Sequence, residues 1–410
     1  MSRVFSNVNR RHFLSAAGLA GALTSLRPSS LYAAHLASRH GEIYRQLGVR
    51  PLINAAGTYT TITGSVMTPQ CREAMAAASE CFVPLIELQR AAGARIAKLL
   101  DVEAAMVSCG AASSILLATA ACVTGGDAEK VRRLPDTSGM KNEVIMVKQH
   151  RMGFDHAARA VGAKIVEVDT LDELKSAINP NTAMLFYVHI YEPKGKIGRA
   201  DFIAAGKAAG VPVFNDAAAE LPPAVNLSGI VKEGFDLVGF SGGKGLRGPQ
   251  AAGLLLGRKD LIDAAHRNNN PHSDTIGRGM KVGKEEIMGI LAAVETYASR
   301  DHDADQKEWR GFMERISKDL KGVPTVETEV YIPGPGGHPV PYLRVAWNEA
   351  KIPLTYQECA RQLREGEPSI EVNAQNGDAV RLASYNLFPG EDRIVGWRLR
   401  EVLLDAVKNS

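Results

Sequence analysis

The stretch FDLVGFSGGKGLRGPQAAGLLLG, residues 235–257, sets a single lysine in a glycine-rich loop between two apolar runs. Phe235–Phe240 and Ala252–Leu256 read as strands buried on both faces, the pattern of a parallel sheet covered by helices. A solvated surface lysine needs no such setting, and a P-loop needs a different spacing. Ser241-Gly242-Gly243-Lys244-Gly245 is therefore the first segment to examine for chemistry.

Outward from this loop, short apolar runs alternate with longer amphipathic ones from Pro51 onward, which predicts an α/β fold with a mostly parallel sheet. Strands are expected at 104–108, 143–147, 164–168, 183–188 and 211–216. SSILLATAACV and ADFIAAGKAAG read as covering helices, the second ended by Gly210. After residue 281 the pattern changes to one long helix, broken or not, running to about Leu320. A Pro/Gly-rich turn, IPGPGGHPVP at 332–341, follows. A strand at 342–347, a helix from about Tyr356 to Arg364, strands near Ile370 and Val380, and a C-terminal helix complete a small α+β domain. The expected organisation is an arm at 35–65, a large domain at 66–285, and the long helix with the small domain at 286–410.

The chain of 410 residues is 45% hydrophobic and 23% charged, the composition of a globular protein with a large core. Its formal net charge of +3 is evenly mixed along the sequence, with no basic run that points to nucleic acid. A small molecule is the expected partner. The five cysteines, Cys71, Cys81, Cys109, Cys122 and Cys359, form no C-x-x-C pair and no metal-like spacing with histidine. They read as buried free thiols, and no metal is expected.

At the N-terminus, Arg10-Arg11-His12-Phe13-Leu14 precedes the weakly apolar SAAGLAGALTSL and a small-residue stretch ending Tyr32-Ala33-Ala34. Paired arginines before a segment too short to span a bilayer resemble a twin-arginine export signal covering residues 1–34. The expectation is export to the periplasm or beyond through the twin-arginine machinery, with no stable membrane association. That machinery carries folded proteins, often with a cofactor already bound.

Ligands of open parallel sheets bind beyond the carboxyl ends of the strands, and four segments there carry chemistry. Ser108-Cys109-Gly110-Ala111-Ala112-Ser113 joins a strand to a helix, and its small residues let a phosphate approach the N–H groups of the helix start. GxGxxG is missing, which argues against a dinucleotide. His150, in Gln149-His150-Arg151, is placed to stack on a flat heteroaromatic ring. Asp216 ends a strand, where a buried carboxylate keeps a pyridine nitrogen protonated; taken alone it is equally a helix cap for AAAEL. Lys244 is placed to form a Schiff base with an aldehyde, made nucleophilic by a nearby cation, while Ser241 and Arg247 flank it as phosphate ligands. An anion cradle, a stacking ring, an acid and a lysine together describe the needs of pyridoxal 5'-phosphate (PLP).

With these residues in hand, the chain resembles the fold-type I PLP enzymes, and among them the seryl-tRNA selenium transferase-like family. The resemblance is carried by GVRPLINAAGTYTTITGSVMTPQCREAM, MVSCGAASSILLATAAC, FNDAAAELPP, FSGGKGLRGPQAAGLLLGRKDLI, TIGRGMKVGKEEIMGILAAVE and REGEPSIEV, across residues 45–405. Within the family the likeness is greatest to the branch that includes D-glucosaminate 6-phosphate ammonia-lyase. It implies a seven-stranded, mostly parallel sheet, a homodimer, Lys244 as the Schiff-base residue, Asp216 at the pyridine nitrogen, and Ser108, Gly110, Ala111, Ala112 and Ser241 at the phosphate. It also implies that Thr275 to Arg278 meet the neighbouring subunit's cofactor, and that Arg278, Lys281 or Arg381 holds the substrate carboxylate. An export signal almost directly before the core leaves no tRNA-binding domain, so a tRNA substrate is not expected.

The expected activity is a lyase on an amino acid or amino sugar acid. Lys244 takes the α proton, Glu220 or His150 assists the group leaving the β carbon, and a 2-oxo acid and ammonia are released. An aminotransferase, a racemase or aldolase, a selenium transferase, and a binding protein on the same scaffold are the alternatives.

Overall fold

The computed structural model describes residues 41–334 and 338–408. The proposed export signal lies outside the described residues.

A seven-stranded sheet forms the large body, in the order β2-β8-β7-β6-β5-β3-β4. Its strands are β2 (Ala104–Ser108), β3 (Glu143–Val147), β4 (Lys164–Val168), β5 (Thr182–Val188), β6 (Val213–Asp216), β7 (Leu237–Ser241) and β8 (Gly253–Gly257). β3, β4, β5, β6 and β7 pair in parallel, while β8 runs antiparallel to both β7 and β2. The β7 to β8 connection is the lysine loop, which is shorter than the helical crossover that a parallel pair needs.

Alternation along the strands builds two cores. Ile145, Val147, Leu185, Tyr187, Val213, Val238 and Leu254 face one way, under the helices Leu85–Leu100, Arg199–Ala209 and Lys284–Ser299. Val144, Met146, Met184, Phe186, Phe214, Leu237 and Leu255 face the other, under Gly110–Thr124 and Lys259–Arg267. Each fully buried side chain of this size contributes about 1.5–3 kcal/mol, so the sheet is fixed from both faces. β4, at the edge, is the strand that departs from the doubly buried pattern, with Lys164 and Glu167 exposed.

A third core belongs to the small body. The antiparallel sheet β9 (Glu327–Tyr331), β10 (Tyr342–Ala346) and β12 (Val380–Ala383) packs with the helices His302–Asp319, Tyr356–Glu365 and Glu391–Lys408. β1 (Leu52–Asn54) of the N-terminal arm pairs in parallel with β11 (Ser369–Glu371), and Ile53 is buried in this core.

The long helix expected after residue 281 is two helices, Lys284–Ser299 and His302–Asp319, parted where the Asp301 carboxylate accepts from the Ala304 N–H at 2.9 Å. Ile287, Ile290 and Val294 of the first pack in the core of the large body. All five cysteines are free thiols, but not all are buried: Cys81 is exposed, just beyond the end of the helix Pro69–Ser79.

Candidate active site

The carboxyl ends of β2, β3, β5, β6 and β7 gather along one rim of the large sheet. Register makes this explicit: Ser108 and Ser241 both pair with Gly253, and Asp216 pairs with Val188 on one side and Gly239 on the other.

The lysine loop is held from two directions. From the arm, Ser65 Oγ donates to the carbonyls of Gly243 and Lys244 at 3.0 and 2.7 Å. From the small body, the Tyr385 hydroxyl donates to the Gly245 carbonyl at 2.6 Å. Gly245 has no room for a side chain, since a Cβ there would lie 2.2 Å from the Leu221 carbonyl oxygen. Lys244 therefore leaves a loop whose backbone has little freedom.

Three titratable groups converge there. Burial pushes the Lys244 amine below its ordinary basicity, while the carboxylates of Asp216 and Glu220 pull it back. The expected cause was a nearby cation; the structure replaces it with burial. Asp216 is buried, which raises its carboxyl to about 6 against the opposing Ala218 N–H and Lys244 charge. Its Oδ1 accepts from the Ala218 N–H at 3.0 Å in a turn, so it caps no helix. Glu220 is raised to about 7 by burial and by Asp216, with Arg199 and Lys244 opposing. A lysine of lowered basicity and a carboxyl that keeps its proton up to about pH 7 thus share this cluster.

The helix Gly110–Thr124 begins beside it. Gly110 has φ 81°, Cys109 offers no side-chain cap, Ala111 is half-buried and Ala112 is exposed. The buried Ser113 Oγ has no hydrogen-bond partner among the described residues. Gly253 gives the helix start its clearance, because a Cβ there would sit 2.7 Å from the Gly110 carbonyl carbon. An uncapped helix start beside an orphaned hydroxyl is a suitable anion cradle. Ser241 lies half-buried at the end of β7.

Several expected residues are placed otherwise. Ser108 is fully buried, its hydroxyl bonded to Ser114 Oγ at 2.7 Å and to the Gly110 carbonyl at 3.1 Å, so it braces the helix start and is not open to an anion. His150 is fully buried, edge-on to Tyr187 with ring centroids 4.5 Å apart, and its Nδ1 accepts from the Val188 N–H at 3.3 Å. No ring face is left open for stacking, and desolvation drops its pKa to about 4. Beside it, Arg151 at 2.7 Å and Arg159 at 2.9 Å both bind the Asp155 carboxylate and tie down the segment. Arg247 turns away from the phosphate cradle: its guanidinium lies 4.8 Å from the Tyr385 ring centroid and donates to the Tyr385 carbonyl.

The remaining expected residues are not gathered at Lys244 within one chain. Thr275 Oγ1 donates to the His272 carbonyl at 3.3 Å, and Arg278 and Lys281 are exposed on the same segment. Arg381, on β12, binds both carboxylate oxygens of Asp378 at 2.8 Å. Sequence reasoning missed Ser65, Ser113, Tyr385 and His338. Ser113 was within the quoted strand-to-helix segment; the others approach from distant parts of the chain.

Residues 89–309 match the family model described as "SelA: L-seryl-tRNA selenium transferase". Among curated proteins, the D-glucosaminate-6-phosphate ammonia lyase of Salmonella typhimurium is 32% identical, with 88% of this chain and 97% of the relative covered. The chain belongs to the L-seryl-tRNA selenium transferase family. A second relative of this family member, the 5'-C-glycyluridine monooxygenase-decarboxylase of a Streptomyces species, is 31% identical over 89% of this chain and 93% of its own length. The solved structure of D-glucosaminate-6-phosphate ammonia-lyase superposes with a TM-score of 0.78 at 31% identity, covering 89% of this chain and 98% of the other.

As in this family of fold-type I enzymes, the cofactor is PLP and the protein is a PLP-dependent enzyme. The residues present fit it: a buried acid at the end of β6, a desolvated lysine in the glycine-rich loop, and an uncapped helix start with an unpartnered hydroxyl.

Proposed function

We propose that this enzyme is a lyase that eliminates a group from the β carbon of an amino acid or amino sugar acid, releasing a 2-oxo acid and ammonia. The observation that carries this reading is the Lys244–Asp216–Glu220 cluster, in a chain whose 32% identity to an ammonia lyase extends over 88% of its length.

When bound, PLP supplies an aldehyde for the substrate amine and a ring that takes up electron density from the α carbon. Lys244 would hold the aldehyde of the bound cofactor and would take the α proton of the substrate; burial lowers the basicity of its amine in the direction this needs. Asp216 keeps the pyridine nitrogen protonated. Glu220, protonated up to about pH 7, delivers a proton to the departing group. The N–H groups of Ala111 and Ala112, with Ser241, would hold the phosphate.

The test is to supply D- and L-hydroxy amino acids and amino sugar acids and to measure ammonia and 2-oxo acid together. Equal amounts of both support the lyase; a 2-oxo acid without ammonia supports an aminotransferase and sinks the reading. The Streptomyces relative, nearly as similar at 31%, favours a second reading, an oxygen-dependent decarboxylation. Turnover that stops when oxygen is removed and releases carbon dioxide identifies that reaction instead.

We further propose that the protein is exported through the twin-arginine route and acts as a homodimer. Arg10-Arg11 ahead of a short apolar segment supports export. The runs of exposed apolar residues Ile43, Tyr44, Leu47 and Val49, and Phe82, Val83 and Ile86, support the dimer. Replacing both arginines by lysine and fractionating cells tests the first; sedimentation of the loaded enzyme tests the second.

A further inference from the structure

Between β9 and β10 the chain reads IPGPGGHPVP, residues 332–341, a composition that marks a connection and nothing more. Its C-terminal part is anchored. Val340 is fully buried, Gln306 Nε2 donates to the Pro339 carbonyl at 2.9 Å, and the Ser384 N–H donates to the Pro341 carbonyl at 3.3 Å. The Val340 N–H closes a turn onto the His338 carbonyl at 2.8 Å. This anchoring carries the His338 side chain from the small body to the rim of the large one.

There His338 Nε2 donates to the Leu221 carbonyl. Leu221 directly follows Glu220, and the same carbonyl lies against Gly245, the residue after Lys244. His338 therefore stands where the two chain segments bearing Glu220 and Lys244 meet. The Lys244 ammonium is close enough to add to the effect of burial in lowering the basicity of the imidazole, which keeps the ring uncharged at neutral pH.

A carbonyl oxygen only accepts, so Nε2 carries the ring's proton and Nδ1 carries a lone pair. Among the described residues Nδ1 has no hydrogen-bond partner, and the residue is half-buried. A lone pair at this place selects what it faces. Carboxylate and phosphate oxygens cannot donate to it. A hydroxyl group is a neutral donor that fits.

We propose that His338 is a specificity residue: its Nδ1 accepts a hydrogen bond from a hydroxyl of the substrate, at the side where Glu220 and Lys244 meet. The substrate class is a hydroxylated amino acid. This rests on the amino-acid frame of the function proposed above, and not on which bond of that amino acid is broken.

Two side chains separate the two ring nitrogens. His338→Gln places a donor near the Nε2 position and keeps the Leu221 contact, but removes the acceptor at Nδ1. His338→Asn keeps a polar group near Nδ1 and gives up Leu221. The PLP-loaded full chain is titrated with serine and alanine, both enantiomers of each, following the visible absorption of the cofactor. In the wild type, serine of one hand should bind more tightly than the matching alanine. In H338Q that preference should fall about tenfold, the worth of one hydrogen bond, with alanine affinity and cofactor loading unchanged. H338N should keep part of the preference while loading less cofactor.

Equal binding of serine and alanine by the wild type, equal weakening of both in H338Q, or binding of neither overturns the inference. Nitrogen-15 NMR of histidine-labelled protein, with H338Q identifying the signal, gives a readout independent of turnover. The inference requires an uncharged ring protonated at Nε2, whose Nδ1 resonance moves on adding serine and not alanine; an Nδ1-protonated or charged ring overturns it. Ammonia release is scored separately. Its absence with the serine preference intact sinks the lyase reading and leaves His338 as proposed.

Discussion

The Tyr385 hydroxyl donates to the Gly245 carbonyl at 2.6 Å, so a residue of the small body holds the backbone immediately after Lys244. Arg247 reinforces this hold by lying over the Tyr385 ring and donating to its carbonyl. The small body thus positions the lysine loop as well as closing the rim.

Tyr385→Phe removes only the hydroxyl, since the ring contact with Trp309, 5.0 Å between centroids, survives. It leaves the Gly245 carbonyl without its donor, at a cost of about 1–3 kcal/mol. Denaturant unfolding should show that loss, and kcat should fall more than KM rises because the displaced element carries Lys244. Unchanged stability and kcat would show that the contact positions nothing.

Gly253→Ala tests the cradle. A methyl group there would lie 2.7 and 2.8 Å from the carbonyl carbon and Cα of Gly110, and so pushes the helix start off β8. PLP affinity, measured by equilibrium dialysis, should fall tenfold or more by order of magnitude, with the chain still folded by circular dichroism. Wild-type affinity would place the phosphate elsewhere.

Glu220 sets a pH dependence with a definite sign. Its folded carboxyl is raised to about 7 from an ordinary 4.5, so the folded state favours the protonated form. That contribution is complete below the ordinary value and is lost as pH rises to about 7. Glu220→Gln should remove this loss and stabilise the cofactor-free chain by roughly 1–3 kcal/mol above neutrality. In the loaded wild type, kcat should decline on raising pH through about 7, where Glu220 gives up its proton. E220Q should lose about 100-fold in kcat and flatten that limb; a variant with the wild-type profile removes Glu220 from the chemistry.

Much of this was legible in the sequence because it depends on local pattern. The apolar runs found the sheet, and the residues just past them, Asp216 and Lys244 among them, lie at one rim because the carboxyl ends of parallel strands must face the same way. What stayed hidden depends on distant packing. His150 follows a strand as a site residue should, but Gly195 packs against its Nε2 and the ring turns inward beside Tyr187. Ser108 looks like a phosphate ligand until the Ser114 hydroxyl takes its bond. Ser65 and Tyr385 lie 179 and 140 residues from the backbone atoms they hold, and His338 sits in a stretch whose composition reads only as a turn. The antiparallel course of β8 has a local cause, a connection too short to cross over, and was open to inference from loop length.

Lys244→Ala, purified with PLP present throughout, tests the central claim most directly. The wild type should be yellow from lysine-bound cofactor and should release ammonia from its amino acid substrate. The variant should lose that visible absorption and all measurable turnover while keeping the wild-type circular dichroism spectrum. Retention of either the absorption or the turnover in K244A would contradict the assignment of Lys244, and with it the reading of the rim as a PLP site.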